Sequence, residues 1–161
     1  MRVREAEAKD LDGILALYRE LRPHDPVLPL DQARTAFSEL LARDGVDIFV
    51  CDLDGTLVAT CMLAVIPNLA SGSRPFGVIE HVVTLASHRQ QGHGRRVLEY
   101  AVRKAWSQDC CKVLLLSGAQ RSDAHKLYES VGFRGDVERG FVIKPPTSLA
   151  EAWSGPQNSR P

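Results

Sequence analysis

Apolar residues recur at helical spacing in some stretches of this chain and run almost unbroken in others, and the two patterns alternate. Leu11, Ile14, Leu15, Leu17, Tyr18 and Leu21 form one stripe, which predicts a helix N-capped by Asp10 and stopped by Pro23. Three prolines make residues 22–29 a loop, and a second helix is expected over about 30–42, ended by Gly45. Val97, Leu98, Ala101, Val102, Ala105 and Trp106 form the buried stripe of a long helix that turns Arg95, Arg96, Glu99, Arg103 and Lys104 to water. A short helix is expected over 123–131, closed by Gly132.

The apolar, β-branched runs are read as strands: a short edge strand at 2–6, then 47–51, 57–66, 78–85 and 112–117. Asp52-Leu-Asp-Gly-Thr56 is a hairpin turn between the second and third, because Asp-Gly tolerates positive φ. A polar loop over 68–75 precedes the central strand, and a final hairpin is expected from 133–137 and 140–144. Together these make one domain over 1–144 in the order β α α β β β α β α β β. Residues 145–161, rich in proline and serine, read as a flexible tail with little to bury.

Between the central strand and the long helix lies Arg89-Gln-Gln-Gly-His-Gly94. Gly92 and Gly94 let the backbone approach a ligand closely. The helix behind them opens with unpaired N–H groups and the positive end of its dipole, to which Arg95 and Arg96 add charge, so a phosphate is the expected guest. A dinucleotide fingerprint would need a third glycine where Val97 stands, and a Walker A loop would need Gly-Lys-Ser/Thr where Gly94 is followed by Arg-Arg.

Composition narrows the picture. At 161 residues the chain is long enough for one real core, and twenty basic residues balance twenty acidic ones, so no global field draws nucleic acid or an anionic membrane. The start lacks an apolar leader and no run is long enough to span a bilayer, so a cytoplasmic location is expected. Cys51, Cys61, Cys110 and Cys111 lack metal-binding spacing and read as reduced structural thiols; no metal is expected.

The glycine turn fits the pattern Arg/Gln-x-x-Gly-x-Gly/Ala after a strand, which resembles the coenzyme A pyrophosphate loop of the GNAT N-acetyltransferase family. Tyr128-Glu-Ser-Val-Gly-Phe133, with Ala124 and Leu127 before it, is similar to the family's Tyr-Glu-x-x-Gly-Phe segment. Ile79-Glu-His-Val-Val-Thr84 and Leu116-Ser-Gly118 look especially close to the small-molecule branch that includes glucosamine-phosphate N-acetyltransferases. The resemblance covers residues 2–144 and departs at Arg121, where many members have asparagine, and at His93, where many have an aliphatic residue. It implies a mixed, mostly antiparallel sheet with helices on both faces, and acetyl-CoA as co-substrate. The cofactor would be held by Val82, Val83, Thr84, Arg89, Gln90, Gln91, Gly92, His93, Gly94 and Arg95. The implied reaction is direct acetyl transfer to a primary amine of a small molecule, without nucleic acid or membrane as partner, and a homodimer is compatible with it.

Two catalytic roles then fall on named residues. Glu80, in an otherwise apolar strand, is either the base that relieves the amine of its proton or one half of a structural ion pair. Tyr128 is the acid for the departing thiolate, a phenol of pKa about 10 serving a thiol near 8.5. His81 is expected on the opposite strand face from Glu80, by the period of two. Two rival readings stand beside these. Phe49-Val-Cys-Asp-Leu-Asp-Gly-Thr-Leu57 matches the Asp-x-Asp-Gly-Thr signature of haloacid-dehalogenase-like phosphatases, with Asp52 and Asp54 as the acidic pair and Mg²⁺ as cofactor, although the turn runs straight into another strand. The other is a non-catalytic coenzyme A sensor with the same fold.

Overall fold

A computed structural model describes residues 1–145; the expected tail from 146 onward lies outside them. The elements are β1 (Arg2–Glu5), a 3₁₀ turn (Ala8–Asp10), α1 (Leu11–Leu21), α2 (Leu30–Leu41), β2 (Val46–Leu53), β3 (Thr56–Ile66), the single irregular turn α3 (Ala70–Ser73), β4 (Phe76–Thr84), a 3₁₀ turn (Ala86–His88), α4 (His93–Ser107), β5 (Val113–Leu115) and α5 (Ser122–Val131). The strands lie in the order β1-β2-β3-β4-β5, antiparallel except for the parallel pair β4 and β5.

Alternation along β2 divides the core in two. Ile48 and Val50 face α1 and α2, where Leu11, Ile14, Leu17, Ala33 and Phe37 are buried. Phe49 and Cys51 face α4, which buries Val97, Leu98, Ala101 and Ala105 against Val58, Cys61, Leu63 and Ile79. The sheet is thus covered on both faces, and each helix buries the stripe its spacing predicts. Trp106 is the exception: expected in the stripe of α4, it lies at the end of the helix and is 51% exposed.

The hairpin turn forms as Asp54-Gly55, with φ of 52° and 92°. Asp52 accepts the Gly55 N–H through Oδ1 at 2.8 Å, and its Oδ2 receives Arg4 Nη2 at 3.0 Å. This overturns the phosphatase alternative: Asp52 is occupied in closing an antiparallel hairpin, and β2 and β3 lack the parallel arrangement with a crossover helix which that chemistry needs. Asp10 also departs from expectation. Instead of capping α1 with its side chain, it takes the Glu7 N–H at 2.7 Å and a two-pronged bond from Arg4 at 2.6 and 2.9 Å. Arg4, 9% exposed, thereby clamps β1, the 3₁₀ turn and the β2–β3 hairpin together.

The final hairpin is not formed: no strand follows α5 among the described residues. Its template would be β5, which pairs over only three residues, and Gly135 and Gly140 weaken both halves. The chain instead makes the ion pairs Arg134–Asp136 (2.7 Å) and Lys112–Glu138 (2.9 Å), leaving Phe141 and Ile143 88% and 96% exposed.

The Arg4 clamp carries a measurable load. Asp10→Asn is expected to lower the unfolding free energy by about 2–3 kcal/mol at pH 7, below the full value for a broken buried pair because Asp52 still partners Arg4. Arg4 holds the Asp10 carboxyl below its usual range, so this stabilisation is present above the unfolded value near 3.8 and is lost as pH falls through the folded one. Urea unfolding from pH 7 downward checks both: wild type loses more stability than Asp10→Asn in acid, and a loss under about 0.5 kcal/mol at pH 7 would count against the clamp.

Candidate active site

β4 carries one residue more than its partner. Pairing with β3 runs Met62 to Glu80 and then Thr60 to Val83, so Cys61 alone opposes His81 and Val82. His81 takes up the extra residue at φ 55°, a left-handed conformation rare for a side chain with Cβ. The bulge breaks the period of two, and Glu80 and His81 line the same cleft, contrary to the expectation from strand alternation. Tyr18 of α1 packs on the imidazole, ring centroids 5.1 Å apart.

β5 follows β4 only from Gly77 to Ile79, so beyond that point the two strands part. The opening holds a cleft of about 250 Å³ between the end of α1, β4, the segment after β5, and α5. Its charged and polar walls are Arg22, Glu80, His81, Ser117, Arg121 and Tyr128. Glu80 makes no ion pair or hydrogen bond among the described residues, which leaves the structural-pair reading without a partner. Tyr128 is buried, and desolvation raises its pKa against the pull of Arg121. Ser117 lies close to the Tyr128 hydroxyl without a satisfactory hydrogen bond, and Ser117 Oγ and His81 Nδ1 are both buried and unpartnered. Burial lowers the His81 pKa, partly opposed by Glu80, so the imidazole is mostly neutral at pH 7.

The glycine turn follows β4 through a 3₁₀ turn. Gln90 and Gly92 are left-handed, at φ 60° and 79°, and α4 begins at once with His93. The first helical bond runs from Arg96 N to Gly92 O at 3.1 Å, so the N–H groups of His93, Gly94 and Arg95 precede it and are free for an anion. A Cβ on Gly94 would sit 2.8 Å from Thr84 Oγ1, so the bare Cα lets α4 come this close to β4 without displacing that side chain.

Residues 13–133 match the model of the Acetyltransferase (GNAT) family. The chain belongs to the GNAT acetyltransferase family. A solved structure of a proposed acetyltransferase from Agrobacterium tumefaciens str. C58 is 41% identical, superposes with a TM-score of 0.86 and is covered to 99% by 89% of this chain. Glucosamine-6-phosphate N-acetyltransferase from Arabidopsis thaliana, 20% identical with a TM-score of 0.78 over 91% of this chain and 98% of its own, shares the fold. So does the aminoglycoside enzyme AAC(6')-Iy, solved with a coenzyme A bisubstrate analogue, at 20% identity and a TM-score of 0.75 over 89% and 96%. No curated protein matches.

Within this GNAT domain the expected site residues fall into two groups. Val82, Val83 and Thr84 line up along β4 beyond the bulge, where no β5 partner runs beside them; Val83 sends its side chain into the α1 core and can offer only backbone. Arg89 to Arg95 form the turn, but not every side chain faces outward. His93 is 5% exposed and points inward, Nδ1 3.7 Å from Cys51 Sγ, so only its N–H serves a ligand. Arg89 is tied back to Thr84 O at 3.2 Å and to Glu20 at 3.7 Å, and Arg95 to Glu99 at 2.8 Å. Arg96, expected from the sequence to add charge at the helix start, leans over the turn with Nη1 3.9 Å from the place of a Gly92 Cβ. Its signal was the doubled arginine. Arg22 was missed because it ends a helix in a segment without motif. Among the described residues no cluster of three His, Cys, Asp or Glu could hold a metal, and no helix is long and apolar enough to cross a membrane.

The left-handed bulge residue sets a stability order. His81→Val should be less stable than His81→Asn by about 1–2 kcal/mol, because a β-branched side chain resists positive φ while asparagine tolerates it. Parallel urea titrations of the two variants decide it; equal midpoints would mean that the bulge is not held in solution.

Proposed function

We propose that this acetyltransferase moves the acetyl group of acetyl-CoA to a primary amine of a small molecule, by direct attack in a ternary complex. The observation that carries the reading is the cleft itself: an unpaired carboxylate, Glu80, and a buried phenol, Tyr128, face it where β4 and β5 part, one strand end away from the anion-binding turn. The turn fits a pyrophosphate, with three free N–H groups, Gly94 giving close access, and Arg96 above. The glucosamine-6-phosphate N-acetyltransferase among the structural relatives is in line with a small acceptor.

Glu80 takes a proton from the bound ammonium and passes it to solvent, so that the nitrogen lone pair can attack the thioester carbonyl carbon. As the C–N bond forms, charge gathers on the carbonyl oxygen, and the backbone N–H groups of β4 freed by its divergence from β5 are its donors. Collapse breaks the C–S bond; Tyr128 gives its proton to the sulfur and recovers one from the nitrogen, which keeps its last hydrogen as the amide. Of the three ammonium hydrogens, one stays, one ends on the thiol and one leaves. Burial keeps Tyr128 fully protonated in the neutral range.

Thermal melts with acetyl-CoA at about a hundred times its Kd should show about 2.7 kcal/mol of stabilisation, several degrees, and Gly94→Trp should abolish the shift. Glu80→Gln and Tyr128→Phe should each lower kcat by roughly 10²- to 10⁴-fold, read as thiol release with a responsive amine, without changing that shift. Binding with no thiol release across an amine panel would instead favour a coenzyme A sensor.

A further inference from the structure

The cleft's charges do not suit a simple cationic amine. It has one carboxylate, Glu80, and two guanidiniums, Arg22 and Arg121. Arg121 has no acidic partner among the described residues, and Arg22 has only Asp25, at 4.0 Å and itself more than half exposed. The two arginines come from different elements, Arg22 from the end of α1 and Arg121 from the residue before α5. Arg121 lines the same cleft as Tyr128.

Resting on the transferase reading above, we propose that the acceptor is a small amine that also carries a carboxylate or phosphate, with its anionic group held by Arg22 and Arg121 and its ammonium by Glu80. One further observation agrees. Ser117 and His81, each with a buried polar atom that lacks a hydrogen-bond partner among the described residues, belong to the lining of the same cleft, and a buried polar atom without a partner is costly. Polycationic acceptors would set a second ammonium against a guanidinium, and that repulsion works as selection against them.

The test uses the full chain, saturating acetyl-CoA and matched acceptors read by thiol release: β-alanine against β-alaninamide, phosphoethanolamine against ethanolamine, and 1,3-diaminopropane as the cationic control. One anionic member should exceed its neutral counterpart by about 10- to 100-fold in kcat/KM, the worth of a charge-assisted bond, and which pair shows it distinguishes carboxylate from phosphate. Arg22→Gln and Arg121→Gln should each shrink that advantage through KM, and Arg22→Glu should turn preference toward diaminopropane, while Arg22→Gln still shows the acetyl-CoA melting shift that proves it folded. Acetyl-CoA binding with no preference for either anionic member, or with no transfer to them, overturns the anionic-acceptor assignment. Absence of acetyl-CoA binding overturns the transferase reading beneath it.

Discussion

The parting of β4 from β5 is the constraint on which the site depends. Two parallel strands that stay paired bury their backbone groups in each other; here the pairing ends at Ile79 and Leu115 while β4 continues to Thr84. Everything needed for a ligand then follows from position. The unpaired edge of β4 supplies backbone groups, α5 brings Tyr128 across the gap, and β4 leads directly into the turn that starts α4. The His81 bulge makes the same strand present two successive side chains to one cleft, which an unbroken pleat forbids. A left-handed residue there is held by its surroundings: Tyr18 packs on its ring, and Cys61 on the neighbouring strand is fully buried.

The far edge of the sheet is secured by ionic means. β1 is only four residues long and has one strand neighbour, and Arg4 ties it to Asp10 and Asp52 at once. Two carboxylates around one buried guanidinium satisfy its donors on both sides, the condition under which a buried ion is tolerated. The Asp-Gly-Thr segment that imitates a phosphatase signature therefore belongs to this scaffold, as the turn between β2 and β3.

Features written into local chemistry were legible in the sequence. The stripes of α1 and α4, the Asp54-Gly55 turn and the glycine turn are set by spacing and by φ preference, and they stand where the pattern puts them. The bulge was not legible, because Val78 to Leu85 has few polar markers by which a skipped register could be seen, and so His81 was assigned to the wrong face. Asp10 sits where an N-cap was expected, but Arg4, six residues earlier on β1, takes its carboxylate, and only the fold brings the Asp52 hairpin to that same guanidinium. The final hairpin failed for a related reason: strand propensity in 140–144 is real, yet a three-residue template is too short to organise it. Arg22 escaped notice because an arginine at a helix end is ordinary until the fold shows what it overhangs.

A neutral chain can still be strongly polarised where it binds. Twenty cations and twenty anions cancel in sum, but Arg22 and Arg121 line the cleft and Arg96 overhangs the turn with no ion-pair partner among the described residues, while Arg89 and Arg95, also near the turn, are engaged by Glu20 and Glu99. Pairing the second set fixes the turn's shape; leaving the first set weakly paired leaves charge available for a ligand. At physiological salt the field of an exposed charge decays within about 8 Å, so these groups act at contact range and contribute little to long-range steering. Their effect is therefore on which molecule fits once it has arrived. Among the described residues Glu80 is the one carboxylate lining the cleft, so an acceptor that places its amine at Glu80 and its anionic group at the arginines matches the charges that these residues present.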